Sequence, residues 1–547
     1  MGLDFGTLSV RALLLDVETG EEICCAESEY AHGVMERELP DGTPLGFEWA
    51  LQHPQDYMES MVQSVHTVLR ESAVSPQQVL GIGVDFTSCT MLPVLDDGTP
   101  LCCLKEYESR AHAYVKLWKH HAAQYCADRL NELAEKTKQP FLKRYGGKIS
   151  CEWMVPKAMQ IAQEDPGIYA AAGRLIEAGD WVVWQLCGKE SRSACQAGYK
   201  ALWNDREGFP SEEFFTALHP LLSDLTRKKL GARHDPIGTK AGGLSAGMAA
   251  RLGLCEATPV ATAIIDAHAS VASCGIADSG KMLMIMGTST CHMMLSEQEV
   301  MVPGICGVVR GGILPGFYGY EAGQSCVGDH FSWFLKNCLP EHCVRQAQQQ
   351  GIGLHELMRR RLAGKKPGQT GLLALDWWNG VRSPLMNFDL SGVMMGMTLA
   401  TQPEDMYMAL LEATAYGTRS IIDAFEKGGV PVRELYAAGG IAAKDPLMMQ
   451  IYADVTGRTI RLSGSSQSGA RGAAILALGA AGPAAAGYSS LLDAVSALGR
   501  LSGVQYIPKP ENTAVYEQLY ALYSRMQSLL GEEHSYLMKT LRALRTQ

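Results

Sequence analysis

Three glycine turns and two carboxylates are the residues here whose types and spacing could do chemistry. Gly6-Thr7 and Gly287-Thr288 each lie between stretches of apolar, strand-like sequence. A glycine in such a turn lets backbone N–H groups come close to a phosphate, and the threonine hydroxyl adds a donor. Either turn alone also reads as an ordinary hairpin; one in each half of the chain points to a phosphate chain clamped between two lobes. Asp4 stands just before the first turn, where the second has Ile285. A carboxylate beside a phosphate turn is a natural Mg2+ partner. Gly439-Gly440 sits between a strand-like run at 435–438 and a helix opened by Asp445-Pro446. It is either a third close-approach site, suited to a nucleotide, or a tight strand–helix turn. Asp266 ends the apolar pair Ile264-Ile265 and precedes Ala267-His268-Ala269. It could cap the following helix or act as a general base between the lobes.

The elements that must position these groups follow from periodicity. Residues 10–15 are apolar and β-prone, 18–20 make a turn, and 21–30 return as a second strand. Pro54 opens a helix in which Tyr57, Met61, Val65 and Leu69 recur every four residues. A short apolar strand at 80–84 ends at Asp85 and is followed by Thr87, Ser88 and Thr90. Such alternation predicts an α/β fold whose strand ends carry the site. The opening pattern returns at 281–286, which runs through Gly287-Thr288-Ser289 into a strand at 291–295, so the chain reads as two related halves. A helix is predicted over 406–427, an Ala-rich helix over 469–487 and a helical appendage over 513–545. Residues 275–282 nearly spell a P-loop, but Met282 replaces the hydroxyl that would meet Mg2+ and the segment precedes a strand. It reads as a glycine-flanked hinge.

Composition sets the outer bounds. The 547 residues are too many for one core, and two domains are expected. A net charge of −10 argues against binding nucleic acid by phosphate neutralisation. The sixteen cysteines include no C-x-x-C and read as reduced thiols, most of them small core residues. His120-His121, after Trp118-Lys119, reads as a solvated helix face and not as a metal site. No leader and no apolar run of membrane length is apparent, so a cytoplasmic protein with no membrane partner is expected.

These pieces together resemble the FGGY carbohydrate kinases. Gly2-Leu3-Asp4-Phe5-Gly6-Thr7, with Ser9 and Arg11, is similar to the family's first phosphate motif. Gly287-Thr288-Ser289 is similar to the second, and Ala438-Gly439-Gly440 with Asp445-Pro446 to the adenosine motif. Residues 83–88, 198–203, 266–268 and 323–325, with Gln450-Ile451-Tyr452-Ala453-Asp454, resemble most the branch acting on L-ribulose. The resemblance implies two actin-like (ribonuclease H-like) ATPase domains flanking a catalytic cleft. Residues 1–276 would form the sugar and phosphate side. Residues 277–547 would form the nucleotide side, with the helical appendage. It implies phosphorylation of L-ribulose at O5, in L-arabinose catabolism, by ATP with Mg2+. Asp266 would be the base, with Lys200, Glu321 and the Ser88 backbone holding the sugar. Asp4 would hold the metal; Gly6, Thr7, Arg11, Gly287, Thr288, Ser289, Gln324, Gly328, Gly439, Gly440 and Asp445 would bind the nucleotide. A homodimer is a family-level expectation. Two features depart from the family pattern: Met1 supplies almost none of the strand usual before Asp4, and Glu108–His112 has no assignable role. Lys200 could otherwise be a surface amine and Glu321 a helix-start charge. The competing readings are a kinase for another pentulose such as xylulose, or for a polyol; an assembly or chaperone-like ATPase; and a catalytically dead sugar sensor.

Overall fold

The computed structural model describes residues 1–231 and 233–545. In the first half, β1 (Gly2–Phe5), β2 (Ser9–Leu15) and β3 (Glu22–Glu29) form an antiparallel meander. Helix α1 (Pro54–Ser72) crosses over, burying Tyr57, Met61, Val65 and Val68 against Phe5, Val10 and Leu14. Next, β4 (Gly83–Phe86) pairs parallel with β1, and β5 (Ile264–Ile265) pairs parallel with β4, giving the order β5-β4-β1-β2-β3. Two short helices matter here: α2 (Ala194–Lys200) precedes β5, and α3 (Asp266–Ser273) follows it directly.

The second half repeats this plan. Strands β6 (Lys281–Met286), β7 (Thr290–Ser296), β8 (Gly307–Arg310) and β9 (Tyr318–Gln324) are antiparallel neighbours, and helix α4 (Gly328–Asn337) follows β9. After helix α5 (Pro403–Lys427), β10 (Glu434–Ala438) pairs parallel with β6; α6 (Pro446–Thr456) then leads to β11 (Ile460–Ser463). With β12 (Leu501–Tyr506) the order is β8-β9-β7-β6-β10-β11-β12. Strands β6, β7, β9, β10 and β11 thus take the places of β1 to β5, which is the duplication read from the two Gly-Thr turns.

Strand periodicity explains how the halves join. In β6, Met282, Met284 and Met286 face the second-half core with Leu410, Leu411, Ile421 and Ile422 of α5. Leu283, pointing the other way, joins a cluster holding Leu13, Leu15 and Ile264 of the first half. Helix α7 (Ser468–Ala481), from the Ala-rich stretch, packs on β1, β2 and β4 of the first sheet. A Cβ on Gly2 would lie 1.8 Å from the Ala470 carbonyl oxygen, one on Gly83 1.9 Å from that of Ala473, and one on Gly472 1.9 Å from that of Ala269. Small residues on both sides let backbones meet, so the covering helix of the first sheet comes from the far end of the chain.

Segment 275–280 joins α3 to β6 and opens no helix, so it lacks P-loop geometry. The appendage, α8 (Pro510–Ser528) and α9 (Tyr536–Arg545), docks through Tyr516, Tyr520, Tyr523 and Met526 on the second-half core. One expectation is corrected. His120 lies in a turn ahead of the helix Gln124–Lys136 and is fully buried. Its Nδ1 accepts from the Ala50 N–H at 3.2 Å and its Nε2 meets Gln160 Oε1 at 2.8 Å. Two well-placed polar partners let a histidine enter a core that its polarity alone would keep it from.

Candidate active site

Parallel pairing of β1 and β4 sets Asp4 directly beside Asp85. Asp85 is fully buried, and neither carboxylate oxygen has a hydrogen-bond partner among the described residues. Burial, and then the neighbouring Asp4, hold its pKa well above the ordinary range. The first turn of α7 closes over both: a Cβ on Gly469 would lie 3.2 Å from Asp85 Oδ1 and 3.4 Å from Asp4 Oδ2. Arg11 on β2 reaches Asp4 at 3.5 Å and Glu27 at 2.8 Å. In the turn between β1 and β2 the Gly6 N–H donates to Ser9 O at 2.9 Å. The Thr7 carbonyl accepts from Gln52 at 2.7 Å and its hydroxyl from Trp118 Nε1 at 3.1 Å. This turn is therefore rigidly held.

Asp266 opens α3, where its Oδ1 accepts from the Ala267 N–H at 2.7 Å. It stays partly exposed. Burial raises its pKa to about 7, with Asp4 and Glu321 adding to the shift and the Ala267 N–H and Lys200 opposing it. Lys200, the last residue of α2, donates to both Glu321 oxygens at 3.0 and 2.8 Å, from the first half to β9 of the second. Burial disfavours both charges, yet mutual attraction raises the proton affinity of Lys200 and lowers that of Glu321, so the pair stays ionised. Glu321 lies mid-strand and not ahead of a helix, and Lys200 is buried, so neither is a surface charge. His268 Nε2 stands 3.6 Å from Glu321, and burial lowers its pKa to about 4. Ser88 lies in the loop after β4, partly exposed, with Cys89 at φ 60° turning the chain.

The other glycines converge in the second half. Gly287 and Thr288 are exposed and Ser289 half-buried at the β6–β7 turn. The N-terminus of α4 docks on that turn: Gly328 N–H donates to Gly287 O at 3.0 Å and Val327 N–H to Thr288 O at 2.8 Å. A Cβ on Gly328 would lie 2.7 Å from Gly287 O. Gly439 has φ 96°, and a Cβ there would lie 2.4 Å from Met286 O, so only glycine fits. It and Gly440 are exposed beside the same turn. Asp445 caps α6 by accepting from the Met448 N–H at 3.0 Å. Gln324 departs from the expected nucleotide role. Its amide donates to Asp376 and the Thr414 carbonyl, both at 2.9 Å, and accepts from Thr418 at 2.7 Å. Both amide hydrogens and one lone pair of the carbonyl oxygen are used inside the core.

Sequence reasoning assigned no role to two residues. Asp85 stood in a noted motif, but only strand register reveals it as Asp4's neighbour. Arg382, in the loop just before the cis Ser383–Pro384 bond, lies with Nη1 3.0 Å from where a Gly323 Cβ would be, two residues along from Glu321. Its sequence surroundings carried no signal. Glu108–His112, left without a role, is tied down by Arg110–Asp165 and His112–Glu164 contacts.

Duplicated actin-like sheets, glycine turns at the β1–β2 and β6–β7 corners, and a carboxylate beside a buried polar pair define a sugar kinase of the two-domain ATPase class. The chain belongs to the FGGY family of carbohydrate kinases, whose N-terminal domain matches residues 1–273 and whose C-terminal domain matches 282–481. It is 53% identical over 539 residues to a ribulokinase of Bacillus licheniformis, covering 98% of each chain. It is 49% identical over 547 residues to one of Halalkalibacterium halodurans, covering 100% of this chain and 97% of the relative. In fold it resembles xylulose kinase from Rhodospirillum rubrum, with a TM-score of 0.79 at 22% identity over 98% and 99% of the two chains. It also resembles Plasmodium falciparum glycerol kinase with ADP, with a TM-score of 0.72 at 16% identity over 96% and 97%.

Proposed function

We propose that this protein phosphorylates L-ribulose at O5, converting ATP to ADP and giving L-ribulose 5-phosphate, as a step of L-arabinose catabolism in the cytoplasm. The observation that carries the reading is Asp266, a carboxylate with its pKa at about 7 beside the buried Lys200–Glu321 pair. Relatives about half identical over the whole chain carry the name ribulokinase, which supports the sugar.

In the proposed reaction Asp266 takes the proton from the O5 hydroxyl as O5 attacks the γ-phosphorus. The bond to the β–γ bridging oxygen breaks and ADP leaves. A base with pKa near the working pH is half ionised there yet still strong enough to pull the proton, which favours transfer. Lys200, Glu321 and the Ser88 backbone hold the remaining sugar hydroxyls. Phosphoryl transfer asks the protein mainly for positioning and charge neutralisation. Gly6, Thr7, Gly287, Thr288 and Ser289 bind the phosphates, with Gly328 at the α4 N-terminus holding the second turn through its N–H to Gly287 O. Gly439 and Gly440 seat the adenosine, and Asp445 acts by fixing α6 beneath them. The orphaned oxygens of Asp85 beside Asp4 fit a hard cation. Mg2+ held there by Asp4, with Asp85 next to it, would neutralise phosphate charge. We place the division between the sugar-side and nucleotide-side domains at residues 276–277, inside the Gly275–Gly280 hinge.

The test is ADP release with ATP and Mg2+ against ribulose, xylulose, pentitols and glycerol, with Asp266→Asn alongside. Highest turnover on ribulose, nearly abolished in the variant, is expected. Turnover confined to xylulose would keep the family and discard the substrate. Sugar-independent ATP hydrolysis untouched by the variant would discard the reaction.

A further inference from the structure

Away from this site, His53, Cys102 and Cys103 each place one ligand atom within 4.8 Å of the other two. His53 is the N-cap of α1, and the two cysteines occupy the short 3-10 turn Leu101–Cys103. Cys102 is buried while Cys103 reaches solvent, so the cluster has both a fixed wall and an entry. Cys102 also packs in the first-half core beside Leu101 and Tyr114, which fixes one sulfur next to the imidazole.

A second ring stands behind the first. His32 stacks on His53 with centroids 4.9 Å apart. His32 is itself oriented by Asp56, which accepts from its backbone N–H at 2.9 Å and meets its Nδ1 at 2.8 Å. A carboxylate holding one nitrogen of a histidine is the usual support for a metal-binding imidazole.

We propose that His53, Cys102 and Cys103 form a binding site for a thiophilic d10 cation, Zn2+ being the expected occupant, with the fourth position open to His32 or water. Tetrahedral Zn2+ with bonds of about 2.3 Å to sulfur and 2.0 Å to nitrogen needs sulfurs about 3.8 Å apart and nitrogen–sulfur separations of about 3.5 Å. Ligand atoms that all lie within 4.8 Å of one another are a side-chain adjustment away from those values. On binding, the two thiols become thiolates, two Zn–S bonds form and two protons pass to solvent, while neutral His53 gives a lone pair and gives up the Gln55 N–H that its Nδ1 accepts at 3.3 Å. The site lies one residue from Gln52, whose amide holds the Thr7 carbonyl.

The test is a Co2+ titration of the full chain, reduced and stripped of metal, followed by displacement with Zn2+. One equivalent should produce thiolate-to-cobalt charge-transfer bands and strong tetrahedral visible bands, both erased by one equivalent of Zn2+. The double variant Cys102→Ser/Cys103→Ser should lose them, whereas Cys24→Ser/Cys25→Ser, altering the other adjacent pair, should keep them. Asn replaces histidine well as an N-cap, so His53→Asn should stay folded and weaken Zn2+ binding at least tenfold. Absence of bands in the unaltered protein, or bands surviving in the folded Cys102/Cys103 variant, would overturn the proposal. If that double variant does not fold, unchanged Zn2+ affinity in His53→Asn would overturn it instead.

Discussion

Asp266→Asn keeps the size of the side chain and an oxygen to accept the Ala267 N–H, while removing both the charge and the basic site. With the carboxylate at pKa about 7, wild-type kcat/KM for the sugar should fall about tenfold per pH unit below 7 and level off above it. The variant should lose ~10²–10⁴ in kcat and, with no base to titrate, that acid limb as well. Stability moves the other way. A carboxyl raised from 3.8 to about 7 favours the folded state fully below pH 4, and that contribution is lost as pH rises through 7. Three pKa steps at about 1.4 kcal/mol each bound the effect near ~4 kcal/mol, less for a side chain that water partly reaches. Asp266→Asn should therefore melt higher than wild type at pH 8 and no higher at pH 4. Coupled ADP release and thermal melts across pH test both halves. A variant within tenfold of wild-type kcat, or one whose residual activity keeps a limb near pH 7, would refute Asp266 as the base.

Lys200→Met leaves Glu321 buried without its partner. It should cost on the order of 3–5 kcal/mol in urea unfolding and raise the sugar KM, with Glu321→Gln added to it recovering part of the stability. Asp85→Asn removes a buried, unpartnered carboxylate; the variant should be more stable at pH 8 and need more Mg2+ for half-maximal turnover, and an unchanged Mg2+ requirement would separate Asp85 from the metal. Gly472→Ala sets a Cβ 1.9 Å from the Ala269 carbonyl oxygen, so α7 and α3 must part. A loss of about 2–3 kcal/mol in chemical denaturation is expected, and a neutral result would contradict the backbone contact.

Much of this was legible in the sequence because it is local. Residues 282–286 are apolar throughout, and the structure makes 281–286 one strand with the predicted bounds. Gly439 is a glycine because its φ of 96° beside Met286 admits no side chain, and a Gly-Gly after a strand announces such a place. Asp4, Asp266, Lys200 and Glu321 were named from motif context. Local reading failed where an environment is built by distant chain. His120 looked like surface because a polar ring next to Lys119 normally is, but Ala50 and Gln160 complete its hydrogen bonds from elsewhere. Gln324 looked like a nucleotide ligand until Asp376, Thr414 and Thr418 filled its amide.

By itself the sequence determined two α/β halves, their glycine turns and the residue types able to run phosphoryl transfer, since strand period, turn chemistry and side-chain acidity are local properties. Only the tertiary structure decided which groups act together. Strand register placed Asp85 against Asp4; α7 returned from residue 468 to seal the first sheet; Lys200 met Glu321 across the two halves. Burial and proximity shift charge, raising Asp266 to about 7, and both are set by contacts between residues far apart in the chain.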